Sequence, residues 1–294
     1  MKKNCIVGLI GRPNVGKSTL LNQILEYDLS IVSNYAQTTR DDIRGIYNDN
    51  DCQIIFIDTP GIHKGENLLS EKLNQKSYSI LKDVDLVLFI TPANETIGRG
   101  DEWVINKLNE NNIKNKIAVI SKIDLVNDNE KLNEKASKLK ELGFKTVFGI
   151  GLNFKQTYKD LINEIKSYAY EGENLYPDDQ IGDVSMRFLA KEYIRKAAIE
   201  NLYQEIPHSI AVEINDFKEQ EEWQPYLIDA TIYVKKDSQK GILIGKNGSM
   251  IKKISTQSRL QMEEIFQHKI YLTINVKVNN DWVDDLNKIK KMGY

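Results

Sequence analysis

Gly11-Arg12-Pro13-Asn14-Val15-Gly16-Lys17-Ser18-Thr19 fits the pattern G-x-x-x-x-G-K-[ST] and lies between an apolar run and a helical one. Its glycines let successive backbone N–H groups turn toward phosphate oxygens, and the positive start of the helix adds to the attraction. Lys17 is positioned to reach the β- and γ-phosphates and Ser18 to ligate Mg2+. Asp58-Thr59-Pro60-Gly61 follows the apolar run 54–57. That spacing puts a carboxylate at a strand end, where it can hold Mg2+ through water, and a glycine N–H where it can meet the γ-phosphate. Between the two motifs, Gln37-Thr38-Thr39-Arg40-Asp41 is a polar loop and a candidate switch. The Thr39 hydroxyl would complete the Mg2+ shell only while a γ-phosphate is present. Ser121-Lys122-Ile123-Asp124 closes another apolar run. Asp124 can accept the N1–H and the exocyclic amine of guanine while the stem of Lys122 covers the ring, and adenine offers no matching donors, so GTP is favoured over ATP.

A second constellation lies far along the chain. Gly245-Lys246-Asn247-Gly248 is a G-x-x-G loop, preceded by Ile242-Leu243-Ile244 and followed by a helical pattern carrying Lys252 and Lys253. Between Lys235 and Lys277 there are nine basic residues and three acidic ones. Glycines allow close backbone approach to phosphates, the helix start favours anions, and such loops clamp about four nucleotides of single-stranded backbone. Unpaired bases would lie against Ile242 and Ile244. A lone G-x-x-G is usually just a turn, so the basic surroundings carry the RNA expectation.

The elements that must position these groups follow from periodicity. The 294 residues, 28% charged and 41% hydrophobic with a net charge of -2, suggest two globular domains. No apolar run approaches the length needed to span a bilayer, and the N-terminal residues show no signal core, so a cytoplasmic chain is expected. Cys5 and Cys52 lie in apolar alternating segments without metal-ligand spacing and are expected as buried strand residues. Runs at 5–10, 86–91, 116–121 and 145–150 predict buried, mostly parallel strands, with helices at 17–26, 68–81, 101–111, 130–142 and 156–168. Segments 42–47 and 52–58 flank Asn48-Asp49-Asn50-Asp51 and predict a hairpin that adds one antiparallel strand. The polar stretch 171–182 is expected as a linker between an α/β domain over 1–170 and an α-β-β-α-α-β domain over 183–294.

Together these motifs resemble the translation-factor-related P-loop GTPases, and within them the Era family of two-domain bacterial GTPases with a KH domain. The resemblance runs from the phosphate loop through Thr38-Thr39-Arg40, Asp58 to His63 and Ser121 to Asp124, then from Gly241 to Lys253 and on to Val276-Lys277-Val278 and Asp281-Trp282. It implies a P-loop GTPase domain followed by a smaller α+β KH domain of type II. It also implies slow GTP hydrolysis to GDP with Mg2+, Lys17, Thr39 and Gly61 acting on the phosphates, and K+ beside them at Asn14. The implied partners are the 3′ end of 16S ribosomal RNA and the small ribosomal subunit, in whose maturation such proteins act, and the inner face of the cell membrane as a peripheral contact. The chain carries no lipidation motif or strongly basic amphipathic helix of its own.

Two positions depart from the family pattern. Ser121 stands where the family has an asparagine that ties the base loop to the phosphate loop, and Gly151-Leu152 stands for Ser-Ala, keeping a backbone N–H for the guanine oxygen but losing a hydroxyl. Each lost hydrogen bond would weaken guanine binding by about 0.5–1.5 kcal/mol. Ile62 follows Gly61 where many GTPases carry a glutamine that orients the attacking water, so intrinsic turnover is expected to be slow. The alternative is an RNA-binding scaffold whose first domain no longer depends on nucleotide. A P-loop ATPase is a third reading, against which Asp124 stands.

Overall fold

The computed structural model describes residues 2–32, 40–63, 65, 67–202, 210–221 and 223–293. They divide into two compact units, and the main body of the second starts at Val184.

The first unit is a seven-stranded sheet among the described residues. Its strands are β1 (Lys3–Ile10), β2 (Ile43–Asn48), β3 (Cys52–Asp58), β4 (Leu86–Pro92), β5 (Lys116–Ser121), β6 (Thr146–Gly149) and β7 (Tyr170–Glu171). The order is β2-β3-β1-β4-β5-β6, with β1, β3, β4, β5 and β6 parallel and β2 antiparallel to β3. β3 and β4 are buried along their whole length, which is why they read as unbroken apolar runs rather than alternating ones. The helices are α1 (Lys17–Leu25), α2 (Leu68–Ile80), α3 (Arg99–Glu110), α4 (Asn129–Glu141) and α5 (Lys155–Lys166). On one side of the sheet Phe89 and Phe144 stack at 5.3 Å within a core that includes Val104, Leu108 and Leu139. Cys5 and Cys52 are free, buried thiols, as expected, and burial pushes Cys5 up to about 12.

The stretch 171–182 is not a free linker. β7 pairs antiparallel with the start of β1, and the chain beyond it lies along β2 and β3. The Gln53 side chain accepts the N–H groups of Leu175 and Tyr176 at 2.8 and 3.0 Å and donates to the Tyr176 carbonyl at 2.9 Å. Asn4 donates to the Glu173 carbonyl at 2.6 Å, and Ile46 N–H donates to the Ile181 carbonyl at 2.8 Å. The side chains of 171–182 are mostly exposed, as polar composition suggests, but its backbone is held because buried amides on the sheet need partners and this segment supplies them.

In the second unit α6 (Met186–Asn201) precedes β8 (Ala211–Lys218) and β9 (Tyr226–Val234), and α7 (Asp237–Ile244) and α8 (Ser249–Phe266) precede β10 (Ile270–Val278) and α9 (Leu286–Lys291). The three-stranded sheet runs β10-β9-β8, with β8 antiparallel and β10 parallel to β9. α6 packs on α8, and Trp282 is wholly buried. β10 alternates exposed and covered residues, with Tyr271, Thr273, Asn275 and Lys277 outward, as one-sided covering of an edge strand requires.

Candidate functional site

The phosphate loop leaves the end of β1 and enters α1 through Gly16, whose φ of 102° only glycine adopts without strain. No side chain caps the start of α1, so its first N–H groups stay available to an anion. Lys17 is buried, and its ammonium donates to the carbonyls of Arg12 at 3.0 Å and Gly11 at 3.3 Å. Burial draws its pKa down to about 8, with Asp58 opposing in part. The Arg12 guanidinium is engaged elsewhere. It donates to Glu95 at 2.6 Å and to the buried Asp101 at 3.0 Å, fastening the loop to α3. Pro13 and Asn14 form the loop's crest, with Asn14 exposed at φ 62°, and Thr19 follows Ser18 in α1.

Asp58, at the end of β3, is 0% exposed. Its Oδ2 accepts from the Ser18 hydroxyl at 2.6 Å and from the Ser30 hydroxyl at 2.8 Å, whereas Oδ1 is buried without a partner. Burial raises its pKa, while Lys17 and the two hydroxyls pull the other way. An orphaned carboxylate oxygen beside a serine hydroxyl fits Mg2+, which takes oxygen ligands and keeps several waters. Thr59 donates to the Leu9 carbonyl at 2.7 Å, and Pro60 accepts from Ser77 at 3.1 Å. At Gly61 a Cβ would sit 2.6 Å from the backbone of Pro13, so the two loops touch only because position 61 has no side chain. Ile62 is wholly buried in the core and its N–H donates to the Gly11 carbonyl at 3.0 Å. Thr39 lies outside the described residues.

At the base end, the Ser121 hydroxyl donates to the Val15 carbonyl at 2.5 Å. The tie expected to be missing is therefore made by the shorter side chain. Gly16 passes close by, with a Cβ built there 3.5 Å from Ser121, which is ordinary contact distance. Lys122, at φ 57°, donates to the Asn14 carbonyl at 2.9 Å. Ile123 N–H donates to the Ile150 carbonyl at 3.1 Å, and Leu152 N–H donates to Asp124 Oδ1 at 3.2 Å. A Cβ at Gly151 would fall 2.6 Å from that same oxygen, so glycine there lets the two loops close. The residues singled out in the first unit, apart from the segment 37–41, of which 37–39 lie outside the described residues, thus converge on the loops following β1, β3, β5 and β6.

In the second unit, Gly245 and Gly248 have φ of 73° and 75°, and Asn247 between them has 52°. Lys246, Asn247, Lys252 and Lys253 are exposed, as is Ile242 at 52%, while Ile244 is half-buried and Leu243 buried. Gly248 caps α8 without a side-chain acceptor. The arrangement offers open N–H groups, amines and an apolar ledge on one stretch of chain.

Ser30 escaped the sequence reading. Its signal was a serine inside the apolar run Leu29-Ser30-Ile31, a buried hydroxyl in need of an acceptor.

The family model described as a 50S ribosome-binding GTPase matches residues 6–122, and the KH domain model matches 205–283. The chain is 52% identical to GTPase Era of Mycoplasmopsis agalactiae, covering 99% of each chain. It is 42% identical to GTPase Era of Fusobacterium nucleatum, covering 98% of this chain and 97% of that one. A crystal structure of Era in complex with MgGDPNP and nucleotides 1506–1542 of 16S ribosomal RNA superposes with a TM-score of 0.93 at 33% identity, covering 100% and 99% of the two chains.

Proposed function

This chain belongs to the Era family of GTPases, and from that premise we propose an Mg2+-dependent switch that binds 16S ribosomal RNA near its 3′ end and assists maturation of the small ribosomal subunit. The observation that carries the proposal is the buried Asp58 with its unpartnered Oδ1 beside Ser18 and Lys17. Ser18 and, through water, Asp58 would hold the metal, with Thr39 as the γ-phosphate-dependent ligand. Bound there, Mg2+ supplies positive charge to the phosphate oxygens. Lys17 exchanges its carbonyl partners for the β- and γ-phosphates, and the N–H of Gly61 meets the γ-phosphate. Asp124 accepts from the guanine, Leu152 N–H would turn from Asp124 Oδ1 to the guanine oxygen, and Lys122 lies along the ring. Ile62, in the core, cannot orient water, which supports slow turnover. A K+ ion beside Asn14 would add charge to the same oxygens.

The proposed division of labour is a nucleotide domain over 1–170 with 171–182 as its packed tail, and an RNA-binding domain over 183–294. Lys246, Asn247 and the flanking glycines would hold RNA phosphates, Lys252 and Lys253 would add charge, and Ile242 and Ile244 would receive bases. The RNA seen with the related Era structure supports the choice of 16S RNA. The proposed location is the cytoplasm, where GTP and ribosomes are. Contact with the inner membrane face would be peripheral, since no described helix is long and apolar enough to cross a bilayer. The nucleotide-independent scaffold rested on Ser121 and Gly151-Leu152, and both places keep a hydrogen bond that braces the base loops.

Calorimetric titration of the full chain with GDP, GTP and ATP in Mg2+, and with a single-stranded RNA matching the 3′ end of 16S RNA, tests this. Micromolar guanine-nucleotide binding, no ATP binding, and RNA binding abolished by Lys246→Glu are expected. Absence of guanine binding at high protein concentration would remove the switch.

A further inference from the structure

The chain between α1 and β2 carries a hydroxyl that the chemistry above leaves without a role. Ser30 is 2% exposed and donates to Asp58 Oδ2 at 2.8 Å. Its own backbone is held on both sides by one side chain: Ser30 N–H donates to Asn22 Oδ1 at 2.9 Å, and Asn22 Nδ2 donates to the Ser30 carbonyl at 2.7 Å. Asn22 stands four residues after Ser18 on α1, so both project from one helix face. The result is a closed frame in which α1 fixes Ser30 and both Ser18 and Ser30 aim at the same carboxylate oxygen.

We propose that Ser30 is a positioning residue for the metal carboxylate, setting the rotation of Asp58 so that Oδ1 faces the metal's water shell. The proposal rests on the Mg2+ reading above. Two donors on Oδ2 stop the carboxylate from turning about its last bond, and the oxygen left with free lone pairs is Oδ1. When the Ser18 oxygen ligates the metal, Ser30 becomes the donor that still holds the carboxylate from outside the metal shell. A buried charge with one donor fewer is free to rotate, and its contact with the metal-bound water weakens.

The test is release of mant-GDP from the full-length protein after mixing with excess GDP, in Mg2+ and in EDTA, for wild type and Ser30→Ala. In wild type the metal should slow release. In Ser30→Ala that slowing should shrink about ten-fold, the size expected for one lost bond to a charged group, with release in EDTA unchanged. Equal slowing in both proteins would overturn the proposal. So would a release rate raised by the same factor with and without metal, because a merely structural serine would act on both. If wild type itself shows no metal effect, the Mg2+ reading fails, and the role of Ser30 fails with it.

Discussion

Gly16 before α1 and Gly248 before α8 are both helix caps of positive φ, 102° and 75°, and neither helix start has a side-chain acceptor on its N–H groups. The same device, a glycine turn into a helix start, offers both units a place that favours anions. What surrounds it differs. The first loop is clamped: Arg12 to Asp101 and Glu95, Val15 to Ser121, Asn14 to Lys122, and Gly61 against Pro13. Its Lys17 is buried, and the Asp58 carboxylate beside it is wholly shielded from water. The second loop projects Lys246 and Asn247 into solvent, and a Cβ at Gly248 would meet nothing within 4 Å. A clamped, dry loop suits one small ligand whose charges must be placed to a fraction of an ångström, since electrostatic terms grow where water is excluded. An open loop suits a polymer that passes over it and exchanges counterions.

If the two loops are independent devices, Gly248→Asp should lower single-stranded RNA affinity at least a hundred-fold by fluorescence anisotropy while the dissociation constant for GDP stays unchanged. The aspartate adds a negative charge at the helix start, and its left-handed φ costs about 1–2 kcal/mol of stability, small enough to leave the fold intact. Loss of both ligands would break the contrast. Ser121→Ala probes the clamp from the other side: without its bond to Val15, GDP should bind about ten-fold more weakly by calorimetry, with RNA binding untouched. An unchanged GDP affinity would mean that the loops need no tie there.

The smallest effect concerns pH. With its pKa near 8 in the empty protein, Lys17 is largely neutral above that value, whereas in the unfolded chain it stays protonated to about 10.4. Between those values the unfolded state holds more protons, so this group makes the empty protein more stable as pH rises, and the benefit is absent below about 8. A bound phosphate restores the charge. Nucleotide binding at pH 8.5 should therefore take up part of a proton, seen as a binding heat that varies with the buffer's ionisation heat, and affinity should fall a few-fold from pH 7.5.

Much of this was legible in the sequence because the chemistry is local. The phosphate loop, Asp58 to Gly61 and the G-x-x-G loop are continuous segments whose residue types dictate their backbone. The parallel strands were legible because burial on both faces leaves unbroken apolar runs. What escaped depends on pairing across distance. The bond from Ser121 to Val15 spans 106 positions and looked like a loss, because a serine is shorter than the asparagine it replaces and nothing in the local sequence shows how near the two loops come. Ser30 is legible as an oddity in an apolar run, but its acceptor lies 28 residues away. β7 has two residues and no periodicity at all.

That short strand and the chain following it bear on where this protein can be cut. Gln53 is fully buried, and its amide is satisfied by Asn48 and by the backbone of Leu175 and Tyr176. A truncation ending at residue 170 would strip those backbone partners away and leave a buried amide oxygen bare, at a cost of about 1–3 kcal/mol. It would also unpair Asn4 from Glu173 and reopen the edge of β1 that β7 covers. A nucleotide-binding fragment that runs to Asp183, whose N–H donates to the Arg44 carbonyl at 3.0 Å, should therefore unfold at higher temperature than one ending at residue 170, although the side chains of 171–182 are mostly exposed.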